Sequence, residues 1–320
     1  MLRSFMIYLS KAGWARQAIT RWKIGRQAAS RFVAGETLED ALRVVETLNA
    51  KGMLASLDHL GEHTYTPDEA RAATRDILEM IESIDKARVR SNVSIKLTQI
   101  GLALDDSLCA ENLARILGRA RECGAFVRID MEDSPWVDKT LGLYRKMRFE
   151  RGLENVGVVI QSYLYRSQED VTRLAGEGAR VRLCKGAYKE PADVAFPKKR
   201  DVDANYDRLM DILIDSSRTA GFPAGSQDGK IPPIPAVASH DPERIAHAKA
   251  YAQNAGVPKN ALEFQMLYGI RRDLQEHLAA EGYPMRVYVP FGTQWYPYFM
   301  RRLAERPANI WFFISNLIRK

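Results

Sequence analysis

Residues 286–302 read RVYVPFGTQWYPYFMRR, and the fold turns on how this stretch is divided. Val287 and Val289 alternate with Tyr288 in the manner of a half-buried strand. Pro290 and Gly292 break that pattern, and Thr293 stands where it can cap a helix running to Arg302. The segment predicts strand, turn and helix in immediate succession. On the helix Tyr298 lies three and four residues before Arg301 and Arg302, so one face can present a phenol and two guanidinium groups to a pocket at the strand's C-terminal end. Paired arginines suit a carboxylate, because each charge-assisted hydrogen bond contributes roughly 1.5–3 kcal/mol where water is excluded. A solvated basic helix face is the plain alternative for the same residues.

Outward from this stretch the same unit recurs. Strand-like apolar runs fall at Met53 to Leu60, Val93 to Ile100, Phe126 to Met131, Val156 to Ile160, Val181 to Cys184, Pro235 to Ala238, Leu262 to Leu267 and Val287 to Val289. Helical patterns separate them, at Pro67 to Lys86, Leu108 to Cys123, Trp136 to Glu150, Gln168 to Gly176, Ala204 to Ala220, Pro242 to Ala255 and Arg271 to Ala280. Eight buried-type strands alternating with helices predict a parallel sheet closed into a (β/α)8 barrel, an α/β fold. Residues 1–50 read as an N-terminal helical segment packed on the barrel, and 51–320 as the catalytic barrel. Within the former, Thr37 can cap a run from Leu38 to Leu48, with Asp40 giving only a weak form of the capping box. A doubly wound open sheet normally carries a glycine-rich fingerprint after its first strand, and neither G-x-G-x-x-G nor a Walker-type sequence occurs.

The composition fits a globular chain: 320 residues, 46% hydrophobic and 27% charged. No apolar run reaches the roughly 20 residues a spanning helix needs. Three cysteines, Cys109, Cys123 and Cys184, without C-x-x-C spacing argue against a disulfide framework or a thiolate zinc site and fit a reducing cytoplasm. The net charge of +7 is concentrated before the first acid, Glu36, in Arg3, Lys11, Arg16, Arg21, Lys23, Arg26 and Arg31. Such a segment suits a transit peptide, a membrane-surface helix or a packed helix with a basic outer face. A nucleic-acid arm is the weakest reading, because no binding motif follows it.

In a (β/α)8 barrel, function sits at the C-terminal strand ends, and here each of them carries polar or aromatic groups. The first ends in Asp58-His59-Leu60-Gly61-Glu62-His63, which contains the H-x-x-E-H pattern of one class of zinc peptidase. That pattern needs a helix; a strand leads into it and Gly61 interrupts it, so Glu62 is expected instead as a single charged pocket contact. The second strand carries Lys96 amid apolar neighbours, inward-facing by alternation, and a lysine so placed needs a partner or a task. The third delivers Arg128 and Asp130 on one face, with a structural salt bridge as the plain reading of that pair. Gln161 follows the fourth. The fifth leads into Arg182, Cys184, Lys185, Gly186, Ala187 and Tyr188, where Gly186 lets backbone N–H groups approach a phosphate and Lys185 neutralises it. The sixth ends in Ser239-His240-Asp241, and His240 also reads as a satisfied core histidine. The rim cations Lys96, Arg182, Lys185, Arg301 and Arg302, without a nucleophile–base pair, suit an anionic cofactor and an anionic substrate.

Together these stretches resemble the proline dehydrogenase family, bacterial and monofunctional in type, whose members use flavin to oxidise L-proline. The matching runs are Asp58 to Glu62, Ile95 to Thr98, Arg128 to Asp133, Gln161 to Tyr163, Arg182 to Tyr188, Glu263 to Gln265 and Tyr288 to Asn309, and the resemblance spans nearly the whole chain. It implies FAD held by Met131, Gln161, Arg182, Lys185, Gly186, Ala187, Ser239 and His240. It implies L-proline held by Lys96, Tyr288, Tyr298, Arg301 and Arg302, with Asp130 and Arg182 as the catalytic pair and no metal. The implied reaction is hydride transfer to the flavin, giving 1-pyrroline-5-carboxylate, with electrons passing to a membrane quinone or another acceptor. A cytoplasmic protein with peripheral contact at the inner membrane fits that role. Cys184 departs from the aliphatic residue expected there and adds an oxidisable thiol. Glu62, on the loop after the first strand, is expected to form a substrate-linked ion pair with Arg301 or Arg302 that acts as a gate. Two rival readings are a zinc metallopeptidase on His59, Glu62 and His63, and a non-enzymatic membrane-surface protein using the basic N-terminus.

Overall fold

Side-chain alternation along short parallel strands sets the architecture. The computed structural model describes residues 29–61 and 64–305. Among these, β1 (Leu54–His59), β2 (Ser91–Ile95), β3 (Val127–Ile129), β4 (Val156–Gln161), β5 (Val181–Cys184), β6 (Pro235–Ala238), β7 (Glu263–Leu267) and β8 (Met285–Phe291) pair in sequence order, and β8 closes on β1. Helix α1 (Leu38–Ala50) precedes the barrel. Helices α2 (Pro67–Ala87), α3 (Asp106–Glu122), α4 (Val137–Arg145), α5 (Ser167–Gly176), α6 (Lys199–Thr219), α7 (Pro242–Asn254) and α8 (Arg272–Ala280) connect the strands, and α9 (Trp295–Glu305) follows the last. The expected (β/α)8 barrel is the fold.

The helices begin where side chains satisfy their free N–H groups. At α2 the Thr66 hydroxyl accepts from Glu69 N at 3.2 Å while the Glu69 carboxylate accepts from Thr66 N at 3.3 Å, and Pro67 opens the helix. Asp40 plays the same part at α1, accepting from Thr37 N at 3.4 Å, so the reciprocal cap forms with an aspartate.

The apolar core lies between barrel and helices. Leu57, Val93, Ile129, Leu183 and Val289 belong to one buried cluster with Ile77 and Ile81 of α2, Leu113 of α3 and Leu213 of α6. Burying each such side chain contributes about 1.5–3 kcal/mol. The alternate residues point inward, and many are polar: Ser56, Asp58, Ser94, Arg128, Arg182, Glu263, Gln265 and Arg286 are all buried. A barrel interior is more often filled with branched aliphatics. Here Glu263 and Arg286, both 0% exposed, pair at 2.8 Å, and Arg286 also donates to Ala55 O at 2.7 Å. The loop 220–234, between α6 and β6, passes beneath this pair: Gly229 O accepts from Arg286 Nη2 at 2.7 Å and Pro232 O from Arg180. Lys230 pins the same loop to Asp85 at 2.9 Å and to Cys123 O at 3.1 Å.

Some expected boundaries move. β2 stops at Ile95, and Thr98–Ile100 forms a 3₁₀ turn instead of continuing the strand, so Lys96 stands just beyond its end. The helix expected over Trp136 to Glu150 is α4 followed by a π-helical turn at Lys146–Glu150. α6 begins at Lys199, ahead of Ala204. Arg128 does not pair with Asp130: its guanidinium lies lower in the barrel, donating to Val158 O at 3.0 Å and to Arg180 O, over the Phe126 ring. Most of the basic N-terminal segment, together with Glu62 and His63, lies outside the described residues.

Candidate active site

At the C-terminal mouth, β1 and β2 bring an acid and a base together. Asp58, 1% exposed, accepts from Lys96 Nζ through both oxygens at 3.0 Å. A buried carboxylate needs such a partner, since isolated charge in a low-dielectric interior is costly. Burial alone would lower the Lys96 pKa; attraction to Asp58 first and Asp130 next outweighs it and raises the ammonium above its ordinary value. Asp130, one residue past β3, lies 4.0 Å from Lys96.

Asp130 is the meeting point of three strands. Arg182 of β5 donates to its Oδ1 at 2.7 Å, and Tyr288 of β8 to its Oδ2 at 2.8 Å. Arg182 crosses the barrel to do so, and it also donates to Gln265 of β7 at 2.5 Å and Ser94 of β2 at 3.0 Å. Only an inward-pointing side chain can reach those strands at once. The guanidinium is thereby fixed just under the mouth, and its carbon lies 5.4 Å from the Tyr288 ring. Burial, reinforced by Asp130 and Asp58, pushes the Tyr288 phenol well up, so it remains a hydrogen-bond donor.

The candidate cofactor residues form the adjoining rim. Met131 and Gln161 are buried, and the Gln161 side chain donates to Glu132 O at 2.8 Å and accepts from Ala187 N at 3.4 Å. Gly186 adopts φ +124°, and a Cβ there would lie 2.5 Å from the Tyr163 ring, so only glycine fits without displacement. Lys185 does not stand free beside this glycine: its Nζ donates to Asp203 at 2.5 Å and Asp241 at 2.6 Å. Ser239 Oγ accepts from Asp241 N at 3.1 Å, and His240 Nε2 accepts from Leu267 N at 3.0 Å, which leaves the ring proton on Nδ1.

Helix α9 carries the remaining candidate residues and packs on Leu60 and Ile270 through Trp295, Tyr296, Tyr298, Phe299 and Met300. Tyr298 and Arg302 are both buried, with the guanidinium carbon 5.1 Å over the phenol ring, and Arg301 is half-buried. Tyr188 feels charge from both the mouth and this helix. Burial pushes its phenol up to about 12, Lys96 and Arg301 pull it down, and Glu132 and Asp130 act against them.

Sequence reasoning passed over several of these participants. Asp58 was visible only as part of a run, although its position two residues after inward-facing Ser56 marks it as inward. Glu132 accepts from Thr98 N at 3.1 Å and Thr98 Oγ1 at 2.5 Å, tying the β2 turn to β3. His59 ends a strand and stacks on Phe291 at 5.1 Å, so it does not begin the helix that a zinc-binding H-x-x-E-H pattern requires. Glu62, the candidate gate, and His63 fall outside the described residues.

A polar mouth assembled from several strands, with a buried arginine beneath it, belongs to a barrel enzyme acting on a small charged molecule. More narrowly, the chain belongs to the proline dehydrogenase family, whose model matches residues 41–313. It is 40% identical over 324 residues to Proline dehydrogenase 1 of Bacillus subtilis (strain 168), covering 100% of both chains. It is 43% identical over 294 residues to Proline dehydrogenase of Deinococcus radiodurans, covering 91% of this chain and 90% of that one. Among solved structures, proline utilization A from Bdellovibrio bacteriovorus, inactivated by N-propargylglycine, superposes with a TM-score of 0.79 at 28% identity over 88% of this chain. The matched region is 33% of that longer protein.

Proposed function

We propose that this chain oxidises L-proline to 1-pyrroline-5-carboxylate with FAD, the first step of proline catabolism. The observation that carries the reading is the constellation Asp58, Lys96, Asp130, Arg182 and Tyr288, drawn to one mouth from five strands or their ends in a member of the family. Lys96, Arg301 and Arg302 bind the substrate carboxylate, and Tyr288 and Tyr298 flank the ring. Asp130 places negative charge near the reacting centre. Arg182, held by Asp130, Gln265 and Ser94, favours negative charge developing above it without having to reorganise.

The rim fits a flavin nucleotide. Gly186 presents bare backbone where a side chain would collide with Tyr163, so the loop can be approached closely at its main chain. Met131, Gln161, Arg182, Lys185, Gly186, Ala187, Ser239 and His240 would hold FAD. When bound, FAD supplies the acceptor for the hydride leaving the ring carbon next to nitrogen. The same reading includes quinone as the final acceptor and a peripheral contact with the inner cytoplasmic face of the membrane, supported by the cations before Glu36. No helix among the described residues is long and apolar enough to cross a membrane.

The direct test is anaerobic addition of L-proline to the purified protein after incubation with FAD. Bleaching of the flavin band with formation of 1-pyrroline-5-carboxylate is expected. A colourless protein that cannot be reconstituted with FAD, or a flavin that L-proline fails to reduce, would reject the proposal.

A further inference from the structure

We infer that Asp203 and Asp241 are positioning residues that hold the Lys185 side chain away from the barrel mouth, so that the backbone of Lys185, Gly186 and Ala187 meets the cofactor and the lysine charge does not. The inference rests on the FAD reading and deepens it.

Lys185 directly follows β5, and its ammonium is gripped from two other elements: Asp203 in the first turns of α6 at 2.5 Å and Asp241 before α7 at 2.6 Å. The carboxylates are only 10% and 20% exposed, so water does little to weaken the grip. Lys199 also bonds Asp203 and lies 3.6 Å from Asp241, and Arg244 stands 3.9 Å from Asp203. Asp241 is itself immobilised, accepting from Glu243 N at 3.1 Å as the α7 cap and donating its own N–H to Ser239 Oγ at 3.1 Å. Burial works to raise both carboxyls, yet the hydrogen bond from Lys185, joined at Asp203 by that from Lys199, keeps them below the ordinary aspartate range. The grip is therefore ionic at neutral pH.

A lysine already facing two carboxylates is a poor counterion for a phosphate, because a further anion must compete with both. Its backbone is oriented independently: Lys185 O accepts from Tyr163 N at 2.9 Å, Gly186 takes the positive φ, and Ala187 N faces Gln161. The clamp thus ties the loop after β5 to the Ser239–His240 turn after β6, the two candidate cofactor-binding segments.

The test measures FAD affinity of the full-length chain, freed of flavin and titrated back, by quenching of flavin fluorescence, with the visible circular dichroism of the rebound flavin as a second readout. Asp203→Asn, Asp241→Asn and Lys185→Met are each expected to weaken FAD by about tenfold or more and to alter the flavin dichroism. The double variant Asp203→Asn/Lys185→Met should be no worse than either single one, because both break the same contact. If Lys185 serves a phosphate instead, Lys185→Met weakens binding while the aspartate variants tighten it by releasing the lysine; that opposite sign would overturn the inference. Lowered thermal stability with unchanged FAD affinity would also overturn it. Failure of the wild-type chain to take up FAD would reject the flavin reading, and this inference with it.

Discussion

Lys96 Nζ sits 3.0 Å from each carboxylate oxygen of Asp58, and the acid is the more deeply buried of the two. The geometry makes Asp58 the residue that stabilises the Lys96 ammonium in its buried setting.

The raised Lys96 pKa means the ammonium's contribution is complete below its unfolded value of about 10.4 and is lost only as pH climbs through the higher folded value. Wild-type kcat/KM for L-proline should therefore show no Lys96 limb between pH 7 and about 10. Asp58→Asn leaves burial less opposed, which lowers that pKa and brings a falling alkaline limb into that range. A pH profile of Asp58→Asn that matches wild type would refute the pairing role.

Arg302 is buried over Tyr298 and Arg301 is half-buried, which is an unusual setting for guanidinium groups on a solvated helix face. Replacing either with Met is expected to raise the KM for L-proline about 30- to 1,000-fold, the equivalent of about 2–4 kcal/mol, while flavin stays bound. Arg302→Lys should also be impaired, since an ammonium lacks the planar fork and stacks poorly on the ring. Steady-state kinetics beside flavin content decides; near-normal KM in these variants removes both arginines from the substrate site.

Glu263 and Arg286 form a pair with no exposed surface. Glu263→Gln leaves Arg286 with uncompensated charge in the barrel, and a loss of about 3–5 kcal/mol in urea unfolding is expected. Glu263→Leu/Arg286→Met removes both charges and should cost less than Glu263→Gln. Equal losses in the two proteins would show that lost packing, and not stranded charge, dominates.

Gly186→Ala forces a side chain into the Tyr163 ring at a positive φ. Strain of about 1–3 kcal/mol is expected, concentrated in the loop, so flavin retention on gel filtration should fall further than the melting temperature suggests. Full flavin retention in this variant contradicts the prediction.

Cys184 carries a thiol that burial pushes up to about 12, with Arg182 pulling it down, and burial does the same at Cys109. Both thiols are therefore disfavoured as thiolates, the reactive form. The half-buried thiol of Cys184 is expected to react slowly for that reason. Iodoacetamide should label native protein first at Cys123, which mass spectrometry of timed digests can follow. Preferential labelling of Cys184 would contradict this.

Much of the barrel was legible because its strands are short and their apolar residues recur between clear helical patterns. β5 and β6 begin and end where that pattern placed them. β2 ran too far in the sequence reading because Thr98 and Ile100 are buried in a 3₁₀ turn and Leu97 is buried just before it, and burial looks alike in a turn and a strand. For the site, a charged residue inside an apolar strand was a readable signal at Lys96 and Arg182. Partnership was not readable. Arg128 and Asp130 share a face, yet they occupy different heights in the barrel and bond different elements. The grip on Lys185 depends on Asp203 and Asp241, which lie 18 and 56 residues onward and meet it only after α6 and α7 have packed.

The loop that passes under Arg286 gives the barrel the character of a cup. Gly229 is bonded to Arg286 from below, its Cα lies so close to Leu54 that a Cβ would stand 2.4 Å from that side chain, and Pro232 is held by Arg180. Chain therefore crosses the lower end of the barrel at these points, opposite the mouth where Asp58, Lys96 and Asp130 gather. The floor is thus built from a connecting loop held by two barrel arginines, so changes in that loop act on the buried Glu263–Arg286 pair directly.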